Sequence, residues 1–307
     1  AAYSIKDQNF FLFCFANFFL GVGMSFTHQY RFAAAESVEK NKIPKAISII
    51  LLGGIVSAFI GPGIANYSKD IVSEHLYVGS YLSLGILTLI PAIFFLFYEN
   101  ISKLETNIKY SGRSRLELIS QPRFLQALVA SAFGYAIMTF LMTATPLSMH
   151  VMEKMSLSKT GLVIQFHVVA MFLPSLVTGH LIKKFGHSNI MYAGVFLYSI
   201  TIVASFFDQT FLNYMFALIF LGLGWNFLFI SGTSLLVLTY KEEEKFRAQG
   251  LNDFIVYSIH AIGSLSAGVL IALTNWKTMN IICIPLMILI ILTTLRAEIL
   301  SKKNPDN

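Results

Sequence analysis

"FLGVGMSF", residues 19–26, returns as "FLGLGWNF", residues 220–227, with five of eight positions identical and both glycines in register. A near-copy 201 residues further on marks an internal repeat, and the fold depends on what kind of segment is repeated. Both copies lie inside long apolar runs. The 307 residues are 55% hydrophobic and 14% aromatic but only 12% charged, with a mean hydropathy of +0.67. That is the composition of a membrane protein, far from the averages of soluble domains.

Nine apolar runs can be drawn, at residues 9–30, 46–66, 76–98, 124–147, 160–182, 189–207, 211–239, 251–273 and 279–296. Each approaches the length needed to cross about 30 Å of hydrocarbon. None alternates with a period of two, and in lipid only helices or closed barrels satisfy the backbone, so the spans predict an all-α integral membrane bundle.

The short connections hold most of the charge. Of the 22 Lys and Arg, 17 follow spans one, three, five, seven and nine, whereas Lys6, Lys69, Lys154, Lys159 and Lys277 lie on the other side. The positive-inside bias then places the C-terminus in the cytoplasm, and the expected location is a bacterial-type cytoplasmic (inner) membrane. With nine spans, the N-terminus would lie outside.

Sliding the chain by about 201 residues lays span one on span seven, span two on span eight and span three on span nine. The match extends beyond the opening motif: Lys45-Ala46 falls on Arg247-Ala248 and Ile60-Gly61 on Ile262-Gly263, both one residue out of the first register. Parallel repeats of six spans are a transporter design, and a period near 200 residues suits six helices with their loops. Spans four, five and six have no counterpart in the chain, so the repeat implies about 80 residues, or three further helices, ahead of Ala1. The expectation is a pseudo-symmetric two-half bundle with nine spans of twelve. Residues 1–98 would close the first half, 99–123 form a basic cytoplasmic linker and 124–307 make the second half.

Local motifs agree. "GHLIKKFG", residues 179–186, resembles the G-x-L-x-x-x-x-G loop of the major facilitator superfamily, with Lys183 where an Asp is usual. "GGIVSAFIGPG", residues 53–63, resembles the Gly-Pro motif found in the fifth helix of that family's exchangers. "YAIMTFLMTATPLSMH" (135–150), "IQFHVVAMFLPS" (164–175) and "GWNFLFISGT" (224–233) are similar to one bacterial subgroup of its permeases. The resemblance runs over the whole chain and equates the nine spans with family helices four to twelve. It implies a secondary transporter that moves a small organic solute by alternating access, through proton coupling or exchange, and works as a monomer. The solute would lie between the halves, on helices corresponding here to spans one, four and seven.

Polar groups at membrane depth are costly and face a cavity or a partner helix. The candidate solute-binding residues are therefore Asn17 and Met24 on span one, Tyr135, Thr139, Met142 and Thr143 on span four, Gln165 on span five, and Trp225 and Asn226 on span seven. Tyr135, Thr139, Met142 and Thr143 share one face at spacings of three and four. Their competing reading is helix packing, with Thr bonding its own backbone. His167 and His260 are the candidate proton-coupling groups, because imidazole changes charge near neutral pH. The alternative for each is a plain hydrogen bond between helices. Gly61, Pro62, Gly179, Lys183 and Gly186 are the candidate gating positions, and Glu36, Arg31, Arg247 and Asp253 form a candidate charge cluster at the cytoplasmic face.

Other chemistry finds little support. Cys14 and Cys283 each lie inside a span, and the seven histidines show no metal-ligand spacing. No phosphate loop or nucleophile elbow occurs, so neither an enzyme nor a cofactor or metal is expected. The formal charge of +6 reflects loops facing anionic lipid and gives no reason to invoke nucleic acid. Met-rich and aromatic faces suit an amphipathic solute. The rival readings are an incomplete bundle or a non-transporting sensor or scaffold.

Overall fold

A computed structural model describes residues 1–97 and 112–303. The described residues form helices and no strand. In chain order they are α1 (Ala2–Lys6), α2 (Phe10–Glu36), α3 (Ile43–Ser68), α4 (Val78–Phe95), α5 (Arg115–Ser120), α6 (Pro122–Pro146), α7 (Leu157–Phe172), α8 (Ser175–Phe185), α9 (His187–Ala204), α10 (Phe211–Val237), α11 (Lys245–Leu273), α12 (Trp276–Ile282) and α13 (Ile284–Lys303). Most of the expected linker lies outside the described residues.

Among the described residues, eight helical segments are long and apolar enough to cross a membrane. The expected third span forms α4, a shorter apolar helix, so the count of nine is approximate. Two other spans are interrupted. Pro174 removes an N–H and separates α7 from α8, while Cys283 and Pro285 mark the joint of α12 and α13. At Pro146 the last turn of α6 widens into a π-helical segment, Leu147–Met152, fixed by a 2.6 Å hydrogen bond between Ser148 and Tyr214. By contrast, α3 runs through Gly61-Pro62-Gly63 without interruption.

Helix starts follow their caps. Asn9 accepts from the Leu12 N–H, Ser156 from Lys159 and Thr210 from Asn213. Ser114 and Glu117 make a reciprocal capping box at α5, and the Ser114 N–H and hydroxyl hold the Glu117 carboxyl below the usual carboxylate range.

The core is built around α6 and α10. α10 packs most extensively on α9, α6 and α7, and α6 lies against α11, α10 and α13. Without a hydrophobic force between helices in lipid, close approach falls to small residues. A Cβ at Gly222 would lie 2.7 Å from the His167 carbonyl, and one at Gly224 would lie 2.5 Å from the Tyr198 ring. The Tyr198 hydroxyl donates to the Gly134 carbonyl at 2.6 Å, tying α9 to α6.

A second cluster joins the two repeats. Ala35, Ile43 and Ile47 meet Ile182, Ile190 and Ile230 at the end of the bundle where the basic loops gather, called here the basic end. Beside it, α8 crosses α3 so closely that a Cβ on Gly179 would be 2.8 Å from the Lys45 Cα. The outward faces stay apolar, with Phe196, Leu265 and Leu273 all largely exposed, as contact with lipid tails requires.

Candidate functional site

α2 runs six residues further into the basic end than the sequence reading allows, and this places Arg31 inside the helix and not in a loop. Its side chain is 3% exposed and forms an ion pair with Asp253 of α11. A buried charge survives only with partners. The Asp253 carboxylate also accepts from Gln29 at 2.7 Å and Asn252 at 3.0 Å, while Arg31 donates to the Tyr257 hydroxyl at 3.3 Å. The guanidinium carbon lies 4.6 Å from the Phe32 ring centre and 4.8 Å from that of Phe229. Arg31 Nε is buried and, among the described residues, has no partner.

Arg31 borders a cavity of about 290 Å³ between α2, α3, α7 and α10. Thr27, His28 and Arg31 supply its polar side, Gly53, Gly54 and Ser57 its α3 wall, and Phe172 and Phe229 its aromatic walls. Gly54 is required there, because a Cβ would fall 2.5 Å from the Phe172 ring. Behind Phe229, Trp225 stacks at 4.9 Å and 12°, and Tyr135 meets Trp225, Phe229 and His260 edge-on at 5.5, 5.4 and 4.6 Å. The Trp225 indole N–H is buried without a partner among the described residues.

Of the expected binding residues, Tyr135, Thr139 and Trp225 are brought together with His260, whose Nδ1 lies 2.7 Å from Thr139 Oγ1. They form the layer behind the cavity and do not line it. Met142 packs on the α6–α10 core, and Thr143 and Gln165 are half-buried on α6 and α7. Asn17 donates to the Phe13 carbonyl of its own helix at 2.8 Å, and Met24 is 61% exposed on α2.

Asn226 has a structural task. Its amide donates to the Met171 carbonyl and to Ser175 Oγ, both at 2.7 Å, and its Oδ1 accepts from Thr178 at 2.6 Å. It therefore satisfies groups freed by the Pro174 break. His167 is likewise engaged: its Nδ1 is 2.7 Å from the Leu218 carbonyl, which can only accept, so that nitrogen carries the proton. Its buried Nε2 has no partner among the described residues.

Among the gating candidates, Gly179 makes the α8–α3 crossing and Gly186, at φ +84°, turns α8 into α9. Lys183 is exposed, and among the described residues a Cβ on Gly61 would meet Ser57 Oγ of its own helix at an ordinary 3.9 Å. The charge cluster joins both repeats. Besides Arg31–Asp253, Lys245 contacts Glu36 at 2.6 Å and Gln249 donates to Glu36 at 2.7 Å. Arg247 turns elsewhere, donating to the Arg113 carbonyl, while Arg113 grips Glu244 through Nε and Nη2 at 2.8 and 2.6 Å.

Sequence reasoning missed Arg31, Phe172 and Phe229 as cavity residues. The signal available was the pairing of an Arg in one span's last turns with an Asp in another's first.

A cavity walled by both repeats of an apolar helical bundle, with polar groups on one side and aromatic rings on the other, is the architecture of a membrane transporter. The family model described as Major Facilitator Superfamily matches residues 1–207 and again 127–306, and the chain belongs to that family. The riboflavin transporter RfnT of Brucella anthropi is 36% identical over 295 residues, covering 95% of this chain and 73% of the relative. The uncharacterized MFS-type transporter YddS of Bacillus subtilis is 27% identical over 279 residues, covering 85% and 64%. Among solved structures, a bacterial homologue of the iron transporter ferroportin in an outward-facing state shares the fold, with a TM-score of 0.60 at 14% identity over 87% of this chain and 66% of that one. The chain thus spans about two thirds to three quarters of the length of these relatives.

Proposed function

We propose that the protein carries a planar, polar heteroaromatic solute of the flavin kind across the membrane by alternating access. The observation that supports this most is Arg31, a buried cation with an unused N–H at the edge of a cavity walled by Phe172 and Phe229. Such a pairing favours a flat ring system that presents a carbonyl or imide edge to the guanidinium and its faces to the aromatic walls. The cavity is near the low end of small-molecule pockets, about 300–1,000 Å³, enough for a ring system. The name of the Brucella relative, a riboflavin transporter, favours the same class.

In this reading the basic end faces the cytoplasm and is shut by Arg31–Asp253 and Glu36–Lys245, which cross between α2 and α11. A solute drawing on Arg31 weakens one of the two latches and so couples binding to opening. Proton exchange falls to His260, half-buried beside Thr139 and Tyr135, more readily than to His167, whose proton is held by a backbone carbonyl. Uptake of labelled riboflavin into proteoliposomes, against a panel of sugars, amino acids and drugs, tests the solute class. Saturable riboflavin uptake supports it, and uptake confined to another class refutes it. If His260 couples protons, His260→Ala abolishes solute-driven alkalinisation, and unaltered coupling removes that role.

A further inference from the structure

A second cavity, of about 190 Å³, lies where α3 crosses α8 near the basic end and shares no lining residue with the first. Its polar lining is Lys45 and Ser48 from α3 with Ser175 and His180 from α8. Ser48 is 2% exposed and its Oγ has no partner among the described residues. Ser175 Oγ accepts from Asn226, leaving its own hydrogen free to donate. Lys45 and His180 are exposed at the rim.

The remaining lining is apolar. Ile49 and Leu176 are each 56% exposed on the outer surface, so a groove leads from the polar pocket towards the surrounding lipid. Among the described residues Lys45 has no carboxylate partner, whereas Lys42 pairs with Glu39 and Lys245 with Glu36. A cationic rim, a buried unpaired hydroxyl and an apolar exit together describe a receptor for an anionic head joined to a hydrocarbon tail.

We propose that this cavity binds the phosphate headgroup of an anionic membrane lipid, with an acyl chain along Ile49, Leu52 and Leu176. The lipid touches both repeats, because Lys45 and Ser48 belong to the first and Ser175 and His180 to the second. It therefore rests at the seam where Gly179 meets the Lys45 backbone, and the free phosphate ion would leave the apolar exit unused.

Native mass spectrometry of the purified protein from mixed phosphatidylcholine and phosphatidylglycerol nanodiscs tests the proposal. One phosphatidylglycerol should stay bound to the wild type. Lys45→Gln should reduce its occupancy about fivefold, and Lys45→Gln with His180→Gln further still, without change in melting temperature. Ser48→Ala should lower it less. The surface control Lys184→Gln should leave occupancy unchanged. Equal retention by wild type and the double variant overturns the site, as does an equal loss in Lys184→Gln, which would indicate surface charge alone. Retention of phosphatidylcholine to the same extent, or displacement of the lipid by millimolar inorganic phosphate, also overturns it.

Discussion

The two copies of the repeated octapeptide share a sequence but not an environment. In α10, Gly222 and Gly224 are pressed against α7 and α9, Trp225 is 2% exposed and Asn226 is fully buried. In α2, Gly21 and Gly23 have no described atom within 4 Å of a would-be Cβ, Met24 is 61% exposed, and Ser25 donates to the Val22 carbonyl of its own helix. A glycine pair is a permission for close packing, and a neighbouring helix has to take it up. The copies also part company one turn later. Where α10 has Phe229 and Gly232, α2 has His28 and Arg31 in the same register, so one repeat gives the cavity its charge and the other its aromatic wall. The functional asymmetry is built on a symmetric frame.

Substitutions can break that contrast. The largest effect is expected from Gly222→Leu, which drives a side chain into the His167 carbonyl and should cost more than ~3 kcal/mol, seen as loss of monodisperse folded protein. Gly21→Leu, its counterpart, should leave the thermal unfolding of this 307-residue chain within about 0.5 kcal/mol of wild type. Similar losses from both would mean that the two glycine pairs are equally packed.

Next comes the buried pair. Asp253→Leu leaves Arg31 uncompensated and should destabilise by about 3–5 kcal/mol, whereas Arg31→Met combined with Asp253→Leu should recover most of it. Lack of recovery in chemical unfolding would show that the pair is not the source of the loss. The half-exposed Glu36–Lys245 pair is worth less, and Glu36→Gln should cost about 1 kcal/mol or below.

Between these two lies Asn226→Ala, which strands groups around the Pro174 break and should cost about 1–3 kcal/mol, against less than about 0.5 kcal/mol for Ser25→Ala at the equivalent place. Differential scanning fluorimetry in detergent would rank the two. An equal effect would remove the special role given to Asn226.

The frame was legible in the sequence because hydropathy and the repeat report on lipid and on symmetry directly. Apolar runs become helices wherever the bilayer leaves the backbone no other partner, and the glycine motif in register exposes the duplication. The cavity was less legible. Ending span one at residue 30 leaves Arg31 in a loop, since a charge argues against the interior; only Asp253, Gln29 and Tyr257, more than 200 positions away or on the same turn, make its burial tolerable. Asn226 read as a ligand group because a buried amide on a cavity-facing helix suggests one. Its partners arise from a proline break on a different helix, which no local pattern reveals. Tyr135 and Thr139 share a face in the sequence, but only the α6–α11 contact brings His260 to them.

The central claim is that Arg31, and not the symmetric frame around it, reads the solute. The most direct measurement is riboflavin binding by fluorescence quenching to the wild type and to Arg31→Lys, which keeps a cation beside Asp253 but loses the planar fork and its unused N–H. Binding weakened at least tenfold in a variant of near-wild-type melting temperature is the expected result. Unchanged affinity in Arg31→Lys, or no riboflavin binding by the folded wild type, would contradict the account.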